Sequence, residues 1–296
     1  MQFFLRAGVV AALAAAVLSA DVTYRQTTKF KGGALIDMVQ KMASMPMMGR
    51  MMGGNGMKQA FEDQNYEVYV KGNKMARIGP RISTIYDLDT GTQTMLNHDQ
   101  QSFTVQTFEE MRERLQQMQE RMNKGRADID FDVKVQKTGQ TQQIDGEIAK
   151  ETIILMTAKQ ATDQGQMVVT VDAWLVPMNA LRREVQDFQK RLAEKLTSGM
   201  SGFSPMMGAA GAGISAAMRE MSRLDEGYPA VTEVAIRGLS AVGGPMGAMG
   251  GGGAIDPNAP LIDTETANHG FVKGVADDLK FSVPPGYKEE KGRPRR

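Results

Sequence analysis

Short runs of alternating apolar and polar residues, separated by tight turns, constrain the fold of this chain most strongly. Val68 and Val70 alternate with polar neighbours, which is the period of a β-strand with one buried face. Gly72-Asn73 then suits a two-residue hairpin loop, because glycine adopts positive φ without strain. The same alternation recurs at residues 22–30, 74–78, 82–88, 92–97 and 102–106. This part of the chain is therefore predicted to form an antiparallel meander.

An amphipathic helix follows the meander. Thr107 and Glu110 form a capping box at its start, where their side chains can satisfy free backbone amides. Apolar residues then recur at steps of three and four along one side, which must be buried against a neighbouring sheet. These residues are Phe108, Met111, Leu115, Met118 and Met122. Similar stripes predict helices over about 179–196 and 214–224.

Further strands complete an α+β pattern. Apolar alternation predicts them at residues 129–135, 147–158, 166–176, 229–237 and 270–283, with Thr138-Gly139 and Asp145-Gly146 as turns. This order favours one antiparallel sheet with helices against one face, in a single domain over 21–287. Three segments rich in Gly, Met, Ser and Ala are predicted to be flexible insertions, and a basic tail ends the chain. They lie near 42–57, 198–213 and 241–258, and the tail covers 288–296.

The first twenty residues have the pattern of a secretory signal peptide. Met1–Arg6 carries one positive charge, Ala7–Leu18 is an apolar run, and Leu18-Ser19-Ala20 offers a small residue for cleavage. The run is shorter than the roughly 20 residues that a membrane span needs. We therefore expect cleavage near Ala20 and an exported protein, periplasmic or extracellular. No later segment is long and apolar enough to predict a transmembrane span in the mature chain.

The composition argues against several classes of function. The net charge of +1 gives no electrostatic basis for nucleic-acid binding. The absence of Cys removes disulfides, thiolate metal sites and cysteine nucleophiles. His98 and His269 lie in predicted turn or loop sequence without neighbouring ligands, and no nucleotide-binding or hydrolase motif occurs. The sequence therefore predicts a protein that is not an enzyme and has no cofactor.

Methionine is the unusual chemical feature, with 24 residues in the chain and a cluster between Met38 and Met57. Thioethers are soft donors that can select Cu(I) or Ag(I), so the cluster raises a metal-binding hypothesis. The candidate ligands are Met45, Met47, Met48 and Met51. The alternative interpretation is that these residues are pliable apolar filler or an adaptable apolar surface.

Several motifs, in their order along the chain, resemble those of a bacterial exported family whose function is unknown and whose members are often rich in Met and Gly. The first is the hairpin Val68-Tyr69-Val70-Lys71-Gly72-Asn73-Lys74-Met75, and the next is Ile85-Tyr86-Asp87-Leu88-Asp89. Later landmarks are Val135-Gln136-Lys137-Thr138-Gly139, Ile144-Asp145-Gly146, Trp174-Leu175-Val176-Pro177 and the run from Phe281 to Tyr287. Relatives often carry Tyr and Cys after the Ile-x-Gly turn, where this chain has Glu147 and Ala149.

The resemblance implies a fold similar to that of the periplasmic lipoprotein carriers (LolA/LolB-like). That fold is an incomplete antiparallel barrel, or half-barrel, with helices packed on its concave face. In those carriers the hollow shields lipid from water without covalent chemistry.

These observations lead to a ligand-binding hypothesis. A half-barrel lined by apolar side chains would hold a lipid or a lipoprotein acyl chain, since burial yields roughly 0.8 kcal/mol per CH₂. The same residues would serve equally well as plain core, and a structural or interaction module of the cell envelope is the second hypothesis. The candidate contacts are Tyr66, Val68, Val70, Tyr86, Phe103, Val105, Met111, Leu115 and Met118.

Overall fold

The structure, a computed structural model, describes residues 21–34, 36–37, 62–123, 130–159, 166–197, 227–238, 259–274 and 277–290. Twelve strands and two α-helices lie within these ranges. The strands are β1 (Val22–Gly32), β2 (Gln64–Lys71), β3 (Lys74–Ile78), β4 (Ile82–Asp87), β5 (Thr92–Asn97), β6 (Ser102–Thr107), β7 (Phe131–Ile144), β8 (Glu147–Ala158), β9 (Val168–Val176), β10 (Tyr228–Arg237), β11 (Ile262–Lys273) and β12 (Lys288–Glu289). The helices are α1 (Phe108–Asn123) and α2 (Ala180–Thr197), and a 3₁₀ turn spans Asp278–Phe281.

All twelve strands form one sheet in the order β12-β6-β5-β4-β3-β2-β1-β11-β10-β9-β8-β7. The first meander, β1–β6, and the second, β7–β11, are joined where β1 pairs with β11. Every pairing is antiparallel except that of β12 with β6. The described strands leave the sheet open, with β7 at one edge and β12 beside β6 at the other. The predicted α+β class with an antiparallel sheet is confirmed at this level.

The predicted turns agree with the structure except at Gly139. Gly72, at φ 56°, forms the predicted loop between β2 and β3. Gly139, at φ 79°, was expected to turn the chain, but it lies within β7 where the register to β8 shifts between Lys137 and Thr141. It therefore forms a bulge, for which the same glycine conformation is suited. The last long strand was predicted at residues 270–283, but β11 begins at Ile262 and ends at Lys273.

Each helix begins at a side-chain cap. The Thr107 hydroxyl accepts from the Glu110 amide at 3.1 Å, and the Glu110 carboxylate accepts from the Thr107 amide at 2.9 Å, which confirms the capping box. At the start of α2, the Asn179 side chain accepts from the Arg182 amide at 3.0 Å. These bonds satisfy backbone donors that have no partner within the helix.

Helix α2 packs on the sheet through Val185 and Phe188, both fully buried. Besides α1, its main partners are the strands β1, β2, β10 and β11, so it bridges the two meanders. At its other end, Arg191 donates to the Asn73 side chain at 2.7 Å, and Lys195 donates to the Leu88 carbonyl at 2.7 Å. The helix is thereby fixed over the loops at one end of the first meander.

The C-terminal segment (277–290) covers part of the opposite face of the sheet. Its partly buried Phe281, Val283 and Tyr287 pack on a buried cluster that includes Ile85 and Leu96. The two-residue strand β12 begins directly after the predicted end of the domain at residue 287 and adds to β6. The C-terminal segment therefore buries apolar residues on the face of the sheet opposite the helices.

His98 links this segment to the sheet. Its Nε2 lies 2.6 Å from the Ser83 hydroxyl, and its Nδ1 lies 2.6 Å from the Tyr287 hydroxyl. His98 lies in the turn after β5, as its sequence predicts, but it is half-buried there. His269 also differs from expectation, because it lies half-buried within β11.

We expect Tyr287→Phe to lower the free energy of unfolding by about 1 kcal/mol, because it removes one hydrogen bond that ties the C-terminal segment to the sheet. Urea denaturation would measure the loss. Hydrogen exchange should accelerate at the amides of Lys288 and Glu290, which donate to the carbonyls of Gln101 and Phe103. Tyr66→Phe is the matched control, because among the described residues its hydroxyl bonds within β2, to Gln64 at 3.1 Å. Equal acceleration at those two amides in both variants would contradict the expectation.

Candidate functional site

Four of the predicted contact residues lie together on the face that carries the helices. Val68 and Val70 are fully buried in the cluster that includes Phe188, and Tyr66 and Tyr86 pack against it while half-buried. Met111 of α1 packs against the same cluster. These five residues are therefore brought together in or against one cluster on the helix side of the sheet.

The face predicted for Phe103 and Val105 is wrong. The register of β5 with β6 sets Leu96 opposite Phe103 and Thr94 opposite Val105, whereas Tyr86 is in line with Gln93. Phe103 packs on the cluster under the C-terminal segment, and Val105 is 43% exposed. The apolar alternation of β6 identified one face but not which one, because the C-terminal segment that covers Phe103 is distant in the sequence.

Other candidates fall outside the described part of the chain. The backbone of α1 is described at Leu115 and Met118, but their side chains are not. The four methionines of the metal hypothesis, the signal peptide, all three predicted insertions and the predicted third helix are also outside it. These expectations stay predictions.

A charged residue that the sequence analysis did not select lies beside the four helix-side residues. In the sheet register, Arg77 of β3 is opposite Val68 of β2 and Thr84 of β4, and Thr84 is opposite Met95 of β5. All of them share one face, because directly paired residues project to the same side. We name the six residues of this region the Arg77 surface. It consists of Tyr66, Val68, Arg77, Thr84, Tyr86 and Met95.

The Arg77 surface lies beside the helices. The main packing partners of α1 are α2 and β6, and those of α2 do not include β3, β4 or β5. Met95 is 40% exposed, and Tyr66, Arg77, Thr84 and Tyr86 are each half-buried. A ligand bound here would contact both apolar side chains and one cation.

Arg77 is held in place by an aromatic ring. Its guanidinium carbon lies 4.3 Å from the centroid of the Tyr66 ring, which is a cation–π contact. Its Nε is buried and has no hydrogen-bond partner among the described residues, nor does its guanidinium form an ion pair there. A buried donor without an acceptor costs about 1–3 kcal/mol, so an incoming anion or carbonyl would recover that cost.

The neighbouring tyrosines are neutral. Burial raises the pKa of Tyr24 to about 12, although the positive charge of Arg77 opposes this shift. Burial also raises the pKa of Tyr86, again against the effect of Arg77. Both phenols therefore keep their protons at physiological pH, and Arg77 has no phenolate counter-ion beside it.

An aromatic cluster forms the adjoining core under α2. The Tyr24 ring stacks on Phe271 with centroids 4.7 Å apart, and Tyr228 meets Phe271 edge-on at 5.2 Å. Arg182 of α2 lies 5.4 Å from the Phe271 centroid and is 4% exposed. It donates to the Glu147 carboxylate and to the Pro177 carbonyl, so its charge is neutralised in place. The Arg182 Nε is buried without a partner, as is that of Arg77, but within the described ranges only the Arg182 guanidinium of these two has a carboxylate and a carbonyl as acceptors.

A row of acids crosses the second meander. Asp172 of β9 is opposite Glu233 of β10, and Glu233 is opposite Glu265 of β11. Lys31 of β1 forms ion pairs with Glu233 and, at 3.1 Å, with Glu265. Burial, together with Glu151 and Glu233, raises the pKa of Asp172 from 3.8 to about 6. In the described ranges, no group of three or more His, Asp or Glu side chains is placed to hold a metal ion.

The described residues carry two further findings that bear on function. Ser83, which contacts His98, is fully buried, so this pair offers no accessible hydroxyl nucleophile. Neither described helix is long and apolar enough to cross a lipid bilayer.

Comparison with known proteins gave no relative from which to assign a function. A scan against protein-family models gave no match, and a search of curated protein sequences gave none either. The functional argument therefore depends on the geometry of the chain itself.

We expect Asp172→Asn to stabilise the protein near neutral pH by about 1 kcal/mol, after allowance for solvent screening. The unfolded Asp ionises near 3.8 and the folded one near 6, so the folded state loses stability as the pH rises between these values. Asn does not ionise, so the variant should lack this loss and should match the parent near the lower value. Denaturation across this pH range would measure both. Asp187→Asn on the exposed side of α2 is the control, and a similar gain there would contradict the assignment.

Proposed function

We propose that this chain is an exported binding protein, not an enzyme, that holds an apolar ligand with an anionic head group on the Arg77 surface. The observation that carries the proposal is Arg77 itself, a half-buried cation with an unpartnered Nε among apolar and aromatic side chains. A carboxylate or phosphate would satisfy the guanidinium, and an acyl chain would contact the side chains around it.

The shape required is a half-barrel, in which the open sheet curves so that the face carrying α2 is its hollow side. The open strand order and the position of α2 across both meanders support this proposal. Tyr66, Tyr86 and Met95 would line the hollow next to Arg77, and Val68 would lie buried beneath them. This arrangement resembles the one implied by the likeness to lipoprotein carriers, where binding needs no reactive group.

Energetics favour a lipid over a small polar anion. The contact of half-buried Arg77 with an anion contributes about 1.5–3 kcal/mol, which alone gives only weak binding. Each buried CH₂ adds roughly 0.8 kcal/mol, so a chain of ten or more carbons could dominate the affinity. Arg77 would then fix the orientation of the ligand, with its head at β3 and its tail along the apolar cluster.

The competing hypothesis, a structural module of the envelope without a small ligand, predicts that protein purified from the exported fraction carries no lipid. Native mass spectrometry of that material distinguishes the two. Under our proposal, some of the protein should carry a bound mass that chloroform extraction identifies as an acidic lipid.

We expect Arg77→Met to weaken the binding of dodecanoate by about tenfold while leaving the binding of dodecanol unchanged, because a charge-assisted hydrogen bond contributes about 1.5–3 kcal/mol. Isothermal titration of both probes against both proteins measures the difference. Arg77→Lys keeps the charge but loses the planar donors, so its affinity should be intermediate.

Arg81→Met is the matched control, since Arg81 is exposed and pairs with Asp99 at 2.6 Å outside the Arg77 surface. Unchanged thermal melting of the Arg77 variants would show that they fold. If the parent binds neither probe and carries no lipid, the proposed function is wrong. If Arg77→Met weakens both probes equally, the ligand has no anionic head at this residue.

A further inference from the structure

The second meander ends in a long strand at the edge of the sheet. Strand β7 pairs with β8 and has no second neighbour among the described strands. An edge strand presents a row of backbone donors and acceptors that can pair with another strand.

The hydrogen bonds to β8 fix which residues face outward. The Lys159 amide donates to the Asp130 carbonyl at 2.8 Å, so this pair is a hydrogen-bonded one. The Ala158 amide donates instead to Met167 on the far side, so its partner Phe131 does not bond to β8. Because these roles alternate, the odd-numbered residues from Phe131 to Val135 direct their N–H and C=O groups away from the sheet.

Side chains on this strand are apolar and exposed on one face and charged on the other. Val133 is 36% exposed and Val135 is 44% exposed, yet their partners on β8, Met156 and Ile154, are fully buried. The apolar surface of the sheet therefore continues to its edge and stops there uncovered. On the other face, Asp132 and Lys134 are exposed and form no ion pair within the described ranges.

We propose that β7 is an interface between two copies of this chain, in which the two β7 strands pair antiparallel about a two-fold axis at Val133. In this register Asp132 of each copy lies opposite Lys134 of the other. Phe131 of each copy lies opposite Val135 of the other. The outward-facing residues meet as hydrogen-bonded pairs, and the charged residues meet as the closer, non-hydrogen-bonded pairs.

The charge pattern selects this register over its neighbours. An axis at Asp132 or at Lys134 sets that residue opposite its own copy, so that like charges meet. An axis at Val135 sets Val133 opposite Lys137, which pairs an apolar side chain with a charge. An axis two residues before Val133 brings two aspartates together. Registers that pair odd with even residues fail because only the odd residues direct their backbone groups outward.

The bulge in β7 limits the length of the interface. The register to β8 shifts between Lys137 and Thr141, and Gly139 has φ 79°. A bulge bends its strand and increases the local twist, so regular pairing should end there. The self-complementary stretch lies entirely before the bulge.

Sedimentation equilibrium of the purified protein tests the proposal. The parent should show a reversible monomer–dimer equilibrium. Lys134→Asp sets two aspartates opposite each other twice in the dimer, so its dissociation constant should rise by about tenfold or more. The double variant with Asp132→Lys and Lys134→Asp restores opposite charges and should dimerise like the parent.

Lys190→Asp, on the exposed side of α2, makes the same change in net charge and should leave the monomer–dimer equilibrium unaltered. A folded parent that stays monomeric at all concentrations would overturn the proposal. So would dimerisation that Lys134→Asp leaves intact, or a double variant that fails to recover although its thermal melting matches the parent. Lipid binding is measured separately at the Arg77 surface, so failure of one proposal leaves the other standing.

Discussion

The pairing of β1 with β11 is the constraint on which the rest of the sheet depends. It joins two meanders whose internal contacts are otherwise local, and it brings together residues distant in sequence, such as Thr28 and Thr266, which are separated by 238 positions. Closing so large a loop costs chain entropy before any contact is gained. Helix α2 repays part of this cost because Val185 and Phe188 bury apolar surface against strands of both meanders. Helix and strand pairing therefore stabilise the same junction.

The two arginines on the helix side illustrate how context decides the role of a charge. Arg182 is almost fully buried, and a carboxylate, a carbonyl and the Phe271 ring surround it, so its charge is used within the fold. The Nε of both arginines is buried without a hydrogen-bond partner, but among the described residues the Arg77 guanidinium has only the Tyr66 ring beside it and no carboxylate or carbonyl acceptor. Natural proteins rarely leave such a donor unsatisfied, and exceptions often mark sites with a function. The proposed ligand site follows from this contrast.

Local chemistry made much of the fold predictable, whereas the sidedness of the sheet was not. The loop at Gly72-Asn73 and the capping box of α1 depend on residues close in sequence, and both were identified correctly. The face of Phe103 could not be deduced, because the C-terminal segment that covers it is distant in the chain. Gly139 was misjudged because hairpins and bulges use the same backbone conformation. The sequence pattern did not predict Arg77 as a site residue, although it alternates in phase with Met75, because a single charge in an apolar strand usually indicates a solvated face.

The short strand β12 has a consequence for how such a sheet can grow. It occupies the first half of the β6 edge, where the amides of Lys288 and Glu290 donate to β6 or to the residue before it. What remains of that edge is short and runs directly into α1. A chain with one accessible edge can join one other chain through it, but it cannot be extended from both sides. The C-terminal segment thereby acts as a terminator against fibre formation, since an endless ladder of sheets needs two free edges on every chain.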